Sequence, residues 1–319
     1  MMKKNSKFIP PCELDTPVLF LIFRSPDTTK KVFEQIRKAK PKQLFVAADG
    51  PREGKEGEKE KTEQARKVIE QVDWDCEVSK NYSDVNLGGK VRPSSGIDWF
   101  FENVEEGIIL EDDCLPSQSF FWFCQELLKK YRNDTRIMII SGDNFQFGQK
   151  RKEGTYYFSK YGGTWGWATW RRAWKHYDVN MKNFEEFKKE VQINNIFPIK
   201  QQQKYWTKTF QSVYDGKIVA WDYQWAYTRF INSGLSIMPN VNLVSNIGFG
   251  LHATNTKDEN SIFSKMKVNE ITEIIHPKFI LADHEADLLT SKLCHDNINI
   301  FTRIKNKILR IARKIIGLL

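Results

Sequence analysis

The sequence predicts a mixed α/β fold with a mainly parallel central sheet flanked by helices, and three observations predict it. Short, wholly apolar runs recur through the first half of the chain. Stretches with apolar residues at helical spacing separate them. A strand without polar alternation is covered on both faces, as in a parallel sheet whose crossovers are helices. Finally, 319 residues of which 40% are apolar and 28% charged are enough for one α/β core of ordinary globular composition.

The elements follow in order. PVLFLIF at 17–23 reads as a buried strand, and Ser25, Pro26 and Asp27 supply turn and capping groups for a helix carrying Val32, Phe33 and Ile36. QLFVAAD at 43–49 is a second strand, closed by Asp49 and Gly50. The polar, glycine-interrupted run PREGKEGEKEK at 51–61 predicts a solvated loop leading into a helix over 62–72. A short strand over 76–79 comes next, then NLGGKVRPSSG at 86–96 as a turn, and IDWFFENV as a helix packed on the sheet. GIIL at 107–110 is a strand that runs directly into Glu111, Asp112 and Asp113. A helix over 118–131 and the buried strand RIMIIS at 136–141 complete this half. From Tyr156 onward the texture becomes tryptophan-rich and less regular. The chain therefore divides into one compact unit over 1–285, with sides at about 16–140 and 141–285, and a helical basic tail over 286–319.

Composition narrows the functional classes. Five cysteines (Cys12, Cys76, Cys114, Cys124 and Cys294), odd in number and without a CxxC pair, point away from a disulfide framework or a zinc knuckle and toward a reducing compartment. Lys3, Lys4 and Lys7 are not followed by an apolar stretch before Pro10 and Pro11, and no window approaches the length that spans a bilayer. A cytoplasmic protein is the expectation. The net charge is +9, yet residues 302–319 hold six Lys or Arg and no acid, leaving +3 elsewhere. As a helix, that tail would align Ile304, Ile308, Ile311, Ala312 and Ile315. It then either lies on an anionic membrane surface, placing the protein at the inner face of the membrane, or packs on its own domain. Cations in an aliphatic tail without interleaved aromatics do not make a nucleic-acid groove, so no nucleic-acid partner is expected.

The sharpest chemical feature is Glu111-Asp112-Asp113 at the end of an apolar strand. Ligands of open α/β sheets collect at the carboxyl ends of strands. Carboxylates there can hold Mn²⁺ or Mg²⁺ against phosphate oxygens, with Asp113 binding the ion and Asp112 and Glu111 orienting it or a ribose. The same acids read equally as a helix-capping turn before Pro116.

GIILEDDCLPSQSFFWF resembles the metal-binding segment of N-acetylglucosaminyltransferase I and related GT-A glycosyltransferases. PVLFLIFRSPDTTKKVFEQIRK resembles their first βα unit, and NLGGKVRPSSGIDWFF their donor-binding turn and helix. GGTWGWATWRRAWKHYD and WDYQWAYTRFINSG extend the resemblance to a bacterial branch of such enzymes, over roughly residues 16–256. It implies a GT-A fold, a uridine diphosphate sugar as donor, a glycan or lipid-linked acceptor, and inversion at the anomeric carbon. The first side of the unit then faces the nucleotide sugar and the second the acceptor.

Carried over by motif, Arg24 faces the nucleotide or diphosphate, and Asp49 accepts a hydrogen bond from uracil unless it merely caps the Gly50-Pro51 turn. Gly88 and Gly89 let backbone approach the donor, with Lys90 or Arg92 toward phosphate and Gly96 on the donor-binding helix. Asp222 is the base that takes the acceptor proton, or the N-cap of a helix over 223–231, or both. Trp165 and Trp167 line the sugar pocket or belong to the core. His252 completes the metal shell or is structural. Two rivals remain: a sugar-phosphate nucleotidyltransferase, which would carry a glycine-rich loop where this chain has FRSPDT, and a non-catalytic nucleotide-sugar or membrane-surface binding protein.

Overall fold

Val18–Ile22 (β1) carries five apolar residues that are all buried, which requires cover on both faces. The computed structural model, which describes residues 8–249 and 261–294, supplies that cover. After β1 come helix α1 (Pro26–Ala39), strand β2 (Gln43–Ala48), helix α2 (Glu58–Lys67), strand β3 (Glu77–Tyr82), helix α3 (Gly88–Asn103) and strand β4 (Glu106–Glu111). The short strand β5 (Cys114–Pro116), helix α4 (Gln118–Tyr131) and strand β6 (Ile137–Ser141) follow. Val32, Phe33 and Ile36 form the buried face of α1, as their spacing predicts.

The tryptophan-rich half is more regular than its sequence suggests. It contains strands β7 (Tyr156–Ser159) and β8 (Trp167–Trp170), short helices α5 (Arg171–Trp174), α6 (Phe184–Lys189) and α7 (Ile193–Ile196), and long helices α8 (Lys200–Tyr214) and α9 (Asp222–Ile231). Strands β9 (Leu235–Pro239) and β10 (Val244–Asn246) and helix α10 (His284–Cys294) complete the described chain.

Eight strands form one sheet in the order β3-β2-β1-β4-β8-β6-β9-β7, and β10 pairs with β5 in a small second ladder. Neighbours β3 to β4 run parallel, as do β6 and β9, while β8 and β7 run antiparallel to their neighbours. The sheet is thus mixed but mainly parallel, and it continues unbroken through both halves of the chain. The path β1-α1-β2-α2-β3 steps to one side and α3 then returns the chain to β4 on the other, so the strand order reverses between β1 and β4. Such reversals leave a crevice outside the carboxyl ends of the two strands.

Two boundaries depart from expectation. The loop after Gly50 is shorter, because α2 begins at Glu58. The turn expected over 86–96 is mostly helix, since α3 starts at Gly88 and passes through Pro93. Pro93 is the sixth residue of α3, past the free amides of the helix start, so it removes one internal hydrogen bond. Among the described residues no helix is long and apolar enough to cross a membrane. The basic tail at 302–319 and His252 lie outside the described residues.

Candidate functional site

A cleft of about 1130 Å³ opens at the carboxyl ends of β1, β2 and β4, where the strand order reverses. Glu111 ends β4, and Asp112 and Asp113 follow it on the cleft floor. Asp112 turns toward β1: its Oδ2 accepts hydrogen bonds from the Phe23 amide at 3.0 Å and Thr29 Oγ1 at 3.3 Å. Burial, reinforced by the charge of Asp113, pushes the Asp112 carboxyl up to about 7, against the pull of these two bonds. Asp112 therefore ties the two switch-point strands together more than it faces a ligand.

Asp113 is held from the other side. Its backbone carbonyl accepts from the Ile247 amide at 2.7 Å, a contact set up by the β5–β10 ladder. A Cβ at Gly248 would lie 2.4 Å from Asp113 Oδ2, so glycine lets this carboxylate occupy its position. Burial raises the carboxyl group of Asp113. Glu111 is raised well above the usual range, by burial first and then by the charges of Asp113, Asp222 and Asp112, with a bond from the Trp221 indole opposing. Asp222 is the first residue of α9, with Trp221 at the N-cap position, and burial raises it too. Trp221 makes no side-chain capping bond, the backbone amides of Asp222 and Tyr223 act on the Asp222 carboxyl, and that carboxyl lines the cleft with the acids of β4.

Four carboxylates therefore share one cleft, each raised first by burial, with the charges of neighbouring acids adding to the effect at Glu111 and Asp112. Among the described residues no three His, Cys, Asp or Glu groups could enclose a metal ion on their own.

Asp49 lines the cleft and is bonded to its own turn. Its Oδ1 accepts from the Gly50 amide at 2.9 Å and the Leu87 amide at 2.8 Å, and its Oδ2 from Asn86 Nδ2 at 2.9 Å and the Gly88 amide at 3.0 Å. An ionised carboxylate offers about four lone-pair sites, and these four bonds engage them within the protein. Asp49 caps its turn and fixes the start of α3.

The loop after it is not simply solvated either. Glu58 is 4% exposed, with Arg52 Nη2 at 2.6 Å and Arg24 Nε at 3.5 Å from its Oε2. The Arg52 bonds hold its carboxyl below the usual range. Arg24 lines the cleft, with its Nε in ion-pair range of Glu58 at 3.5 Å.

Of the two cations expected near phosphate, Arg92 lines the cleft and Lys90 does not. Gly96 also stands away from it. A Cβ there would lie 2.9 Å from Ala47 Cβ and 3.2 Å from Leu21 Cδ2, so Gly96 lets α3 press against the sheet instead of touching a ligand. Trp165 lines the cleft, edge-on to Phe145 at 5.3 Å and Phe249 at 5.8 Å between ring centroids. Trp167 does not: it is fully buried, stacked on Trp221 at 5.5 Å and packed against Trp174 and Trp225. Trp221 is instead the second indole of the cleft wall.

Sequence reasoning missed Asn86, Arg52, Asn246 and Gly248, all of which line the cleft; their positions depend on long-range pairing. It also missed Asp143, two residues beyond β6. This carboxylate is fully buried, accepts from the Trp165 amide at 3.2 Å, and is pushed up to about 7 by burial. Its place beyond a buried strand, like that of Asp113, was the available signal.

No protein-family model matches the chain, and no curated protein matches it. Solved structures do show similarity. The mannosyltransferase PcManGT from Pyrobaculum calidifontis, in complex with GDP-Man and Mn²⁺, is 10% identical with a TM-score of 0.34, over 53% of this chain and 48% of that one. The chain thus matches about half the length of that enzyme. Mouse xyloside xylosyltransferase 1 in its apo form is 11% identical with a TM-score of 0.34, over 68% of this chain and 81% of that one. The 4-diphosphocytidyl-2C-methyl-D-erythritol synthase from Anaerococcus prevotii is 9% identical with a TM-score of 0.33, over 55% and 84%.

Proposed function

We propose that the protein is a glycosyltransferase that moves a sugar from a nucleoside diphosphate donor to a hydroxyl of a glycan or lipid-linked acceptor, with a divalent cation and with inversion. The observation that carries this reading is the cleft itself: Glu111, Asp112 and Asp113 at one strand end of the switch point, with Asp222 of α9 on the same cleft. The order of motifs from FRSPDT through EDD to AWDYQW supports it.

Asp113, set beside Gly248, would hold Mn²⁺ or Mg²⁺ together with the donor's phosphates. When bound, the ion neutralises charge that develops on the diphosphate leaving group. Arg24, held by Glu58, adds a fixed positive charge at the same end. Asp222, whose proton affinity burial raises, would take a proton from the acceptor hydroxyl in its ionised form. Trp165 and Trp221 offer flat apolar faces to a sugar ring. Uridine as the base, a hexose or N-acetylhexosamine as the sugar, and membrane contact through 302–319 rest on motif resemblance and sequence pattern. A nucleotidyltransferase is disfavoured because β1 passes into α1 within three residues, Phe23 to Ser25, without a glycine-rich loop.

The test is release of nucleoside diphosphate from a panel of nucleotide sugars in the presence of Mn²⁺, with simple glycosides as acceptors. Asp222→Asn should abolish release while retaining donor binding. Undiminished release by that variant would remove Asp222 from the mechanism, and no release from any donor by the wild type would count against transfer.

A further inference from the structure

Residues 160–166, between β7 and β8, belong to no helix or strand, yet they deliver Thr164 and Trp165 to the cleft wall. Groups from outside hold this segment along its length in place of a strand partner. Arg229 of α9, 2% exposed, donates from Nη1 to the Lys160 carbonyl and from Nη2 to the Gly162 carbonyl, both at 3.3 Å. Ser141 Oγ donates to the Gly163 carbonyl at 2.9 Å and accepts from the Gly163 amide at 3.1 Å. The Gly142 amide donates to the Gly166 carbonyl at 2.7 Å. Between these contacts, Asp143 Oδ2 accepts from the Trp165 amide at 3.2 Å.

Asp143 is the costly member of this set. It is 0% exposed, and its Oδ1 has no hydrogen-bond partner among the described residues. A buried carboxylate with an unpartnered oxygen weakens the fold, and a polar group kept at such a cost marks a functional constraint. The chain is also fitted around it. A Cβ at Gly163 would lie 1.9 Å from Asp143 Oδ2 and 2.2 Å from Oδ1, and one at Gly162 would lie 3.0 Å from Arg229 Nη1. The two glycines thus give way to a carboxylate and a guanidinium, whose charges act on each other. Asp143 itself does not line the cleft, whereas Trp165, whose amide it receives, does.

We propose that Asp143 is a positioning residue for Trp165: it fixes the backbone from which the indole reaches the cleft wall, and through that indole it sets the affinity for the sugar part of a donor. Ring contacts to Phe145 and Phe249 orient the indole, while Asp143 holds the main chain beneath it. In naming a sugar as what the indole meets, the assignment rests on the transferase reading; the hold on Trp165 rests on geometry alone.

The test has one arm without ligand and one with it. Hydrogen exchange of the full chain, read on peptides spanning 160–166, should be at least tenfold faster in Asp143→Ala. Asp143→Asn keeps an oxygen for the Trp165 amide and should return the rate to near that of the wild type. Calorimetric titration in Mn²⁺ then compares UDP and GDP with UDP-glucose, UDP-N-acetylglucosamine and GDP-mannose. Asp143→Ala should weaken the nucleotide sugar that the wild type binds at least tenfold, while its parent nucleotide changes less than twofold. Trp165→Ala should lose the same factor, and the double variant no more. Should Asp143→Ala not fold, Gly163→Ala displaces the carboxylate from the other side and should give the same selective loss. Equal weakening of nucleotide sugar and parent nucleotide, additive losses in the double variant, or unchanged exchange in folded Asp143→Ala would overturn the proposal. Faster exchange in Asp143→Ala, with a wild type that binds no nucleotide sugar, would keep the hold on Trp165 and sink the transferase reading.

Discussion

Replacing Asp49 with Ala separates scaffold from ligand contact. In the structure the carboxylate is 5% exposed and accepts four hydrogen bonds, three from backbone amides of Gly50, Leu87 and Gly88 and one from the Asn86 side chain. A hydrogen bond to a charged group contributes about 1.5–3 kcal/mol, and a buried donor stripped of its partner incurs a desolvation cost of about 1–3 kcal/mol. The bonds border a cleft, so water recovers part of the loss. We expect Asp49→Ala to lower the unfolding free energy by about 3–5 kcal/mol in urea titration, on the scale of the larger single-site effects. Asp49→Asn should lie between, because one amide face can still accept. Nucleotide affinity should fall only as far as the start of α3 is disturbed. A variant that keeps wild-type stability but loses nucleotide binding would refute the reasoning and restore Asp49 as a contact to the base.

The remaining predictions follow from close contacts and buried charge. Gly96→Ala should lower stability by about 1–3 kcal/mol through overpacking against Ala47 and Leu21, measured by thermal melting. Gly248→Ala should lower stability by about 1–3 kcal/mol as well and weaken metal-dependent nucleotide binding at least tenfold, because the new methyl displaces Asp113. Asp143, pushed up to about 7 by burial, binds its proton more tightly folded than unfolded, where the value is about 3.9. Its contribution is fully present below pH 4 and lost as pH rises through 7. Wild type should therefore lose on the order of 3 kcal/mol between pH 5 and 8 from this group alone, and Asp143→Asn should flatten that slope in chemical denaturation.

The parallel half of the fold was legible because buried strands and amphipathic helices leave local patterns. The limits of α4 agree with the sequence reading, and the buried face of α1 falls where its spacing places it. Strands β7 and β8 were not legible because their aromatic runs are buried throughout and show neither a period of two nor one of 3.6, and β9 (LSIMP) and β10 (VSN) are too short to show one. At the site, the acids after β4 stood out by composition. The roles of Asp49, Gly96 and Trp167 did not, because each depends on what the fold packs against it: three amides and an asparagine, a helix pressed onto β1 and β2, and a cluster of indoles. Asn246 and Gly248 reach the cleft only through the β5–β10 ladder, a pairing across more than a hundred residues.

The central claim is that the acids at the end of β4 serve a divalent cation and a nucleoside diphosphate together. Its most direct test is calorimetric titration of the protein with UDP and GDP, with and without Mn²⁺, repeated on Asp113→Ala. The account predicts nucleotide binding that Mn²⁺ strengthens at least tenfold, and an Asp113→Ala variant in which that strengthening is gone. Nucleotide binding indifferent to Mn²⁺, or unchanged by the substitution in a folded protein, would contradict it.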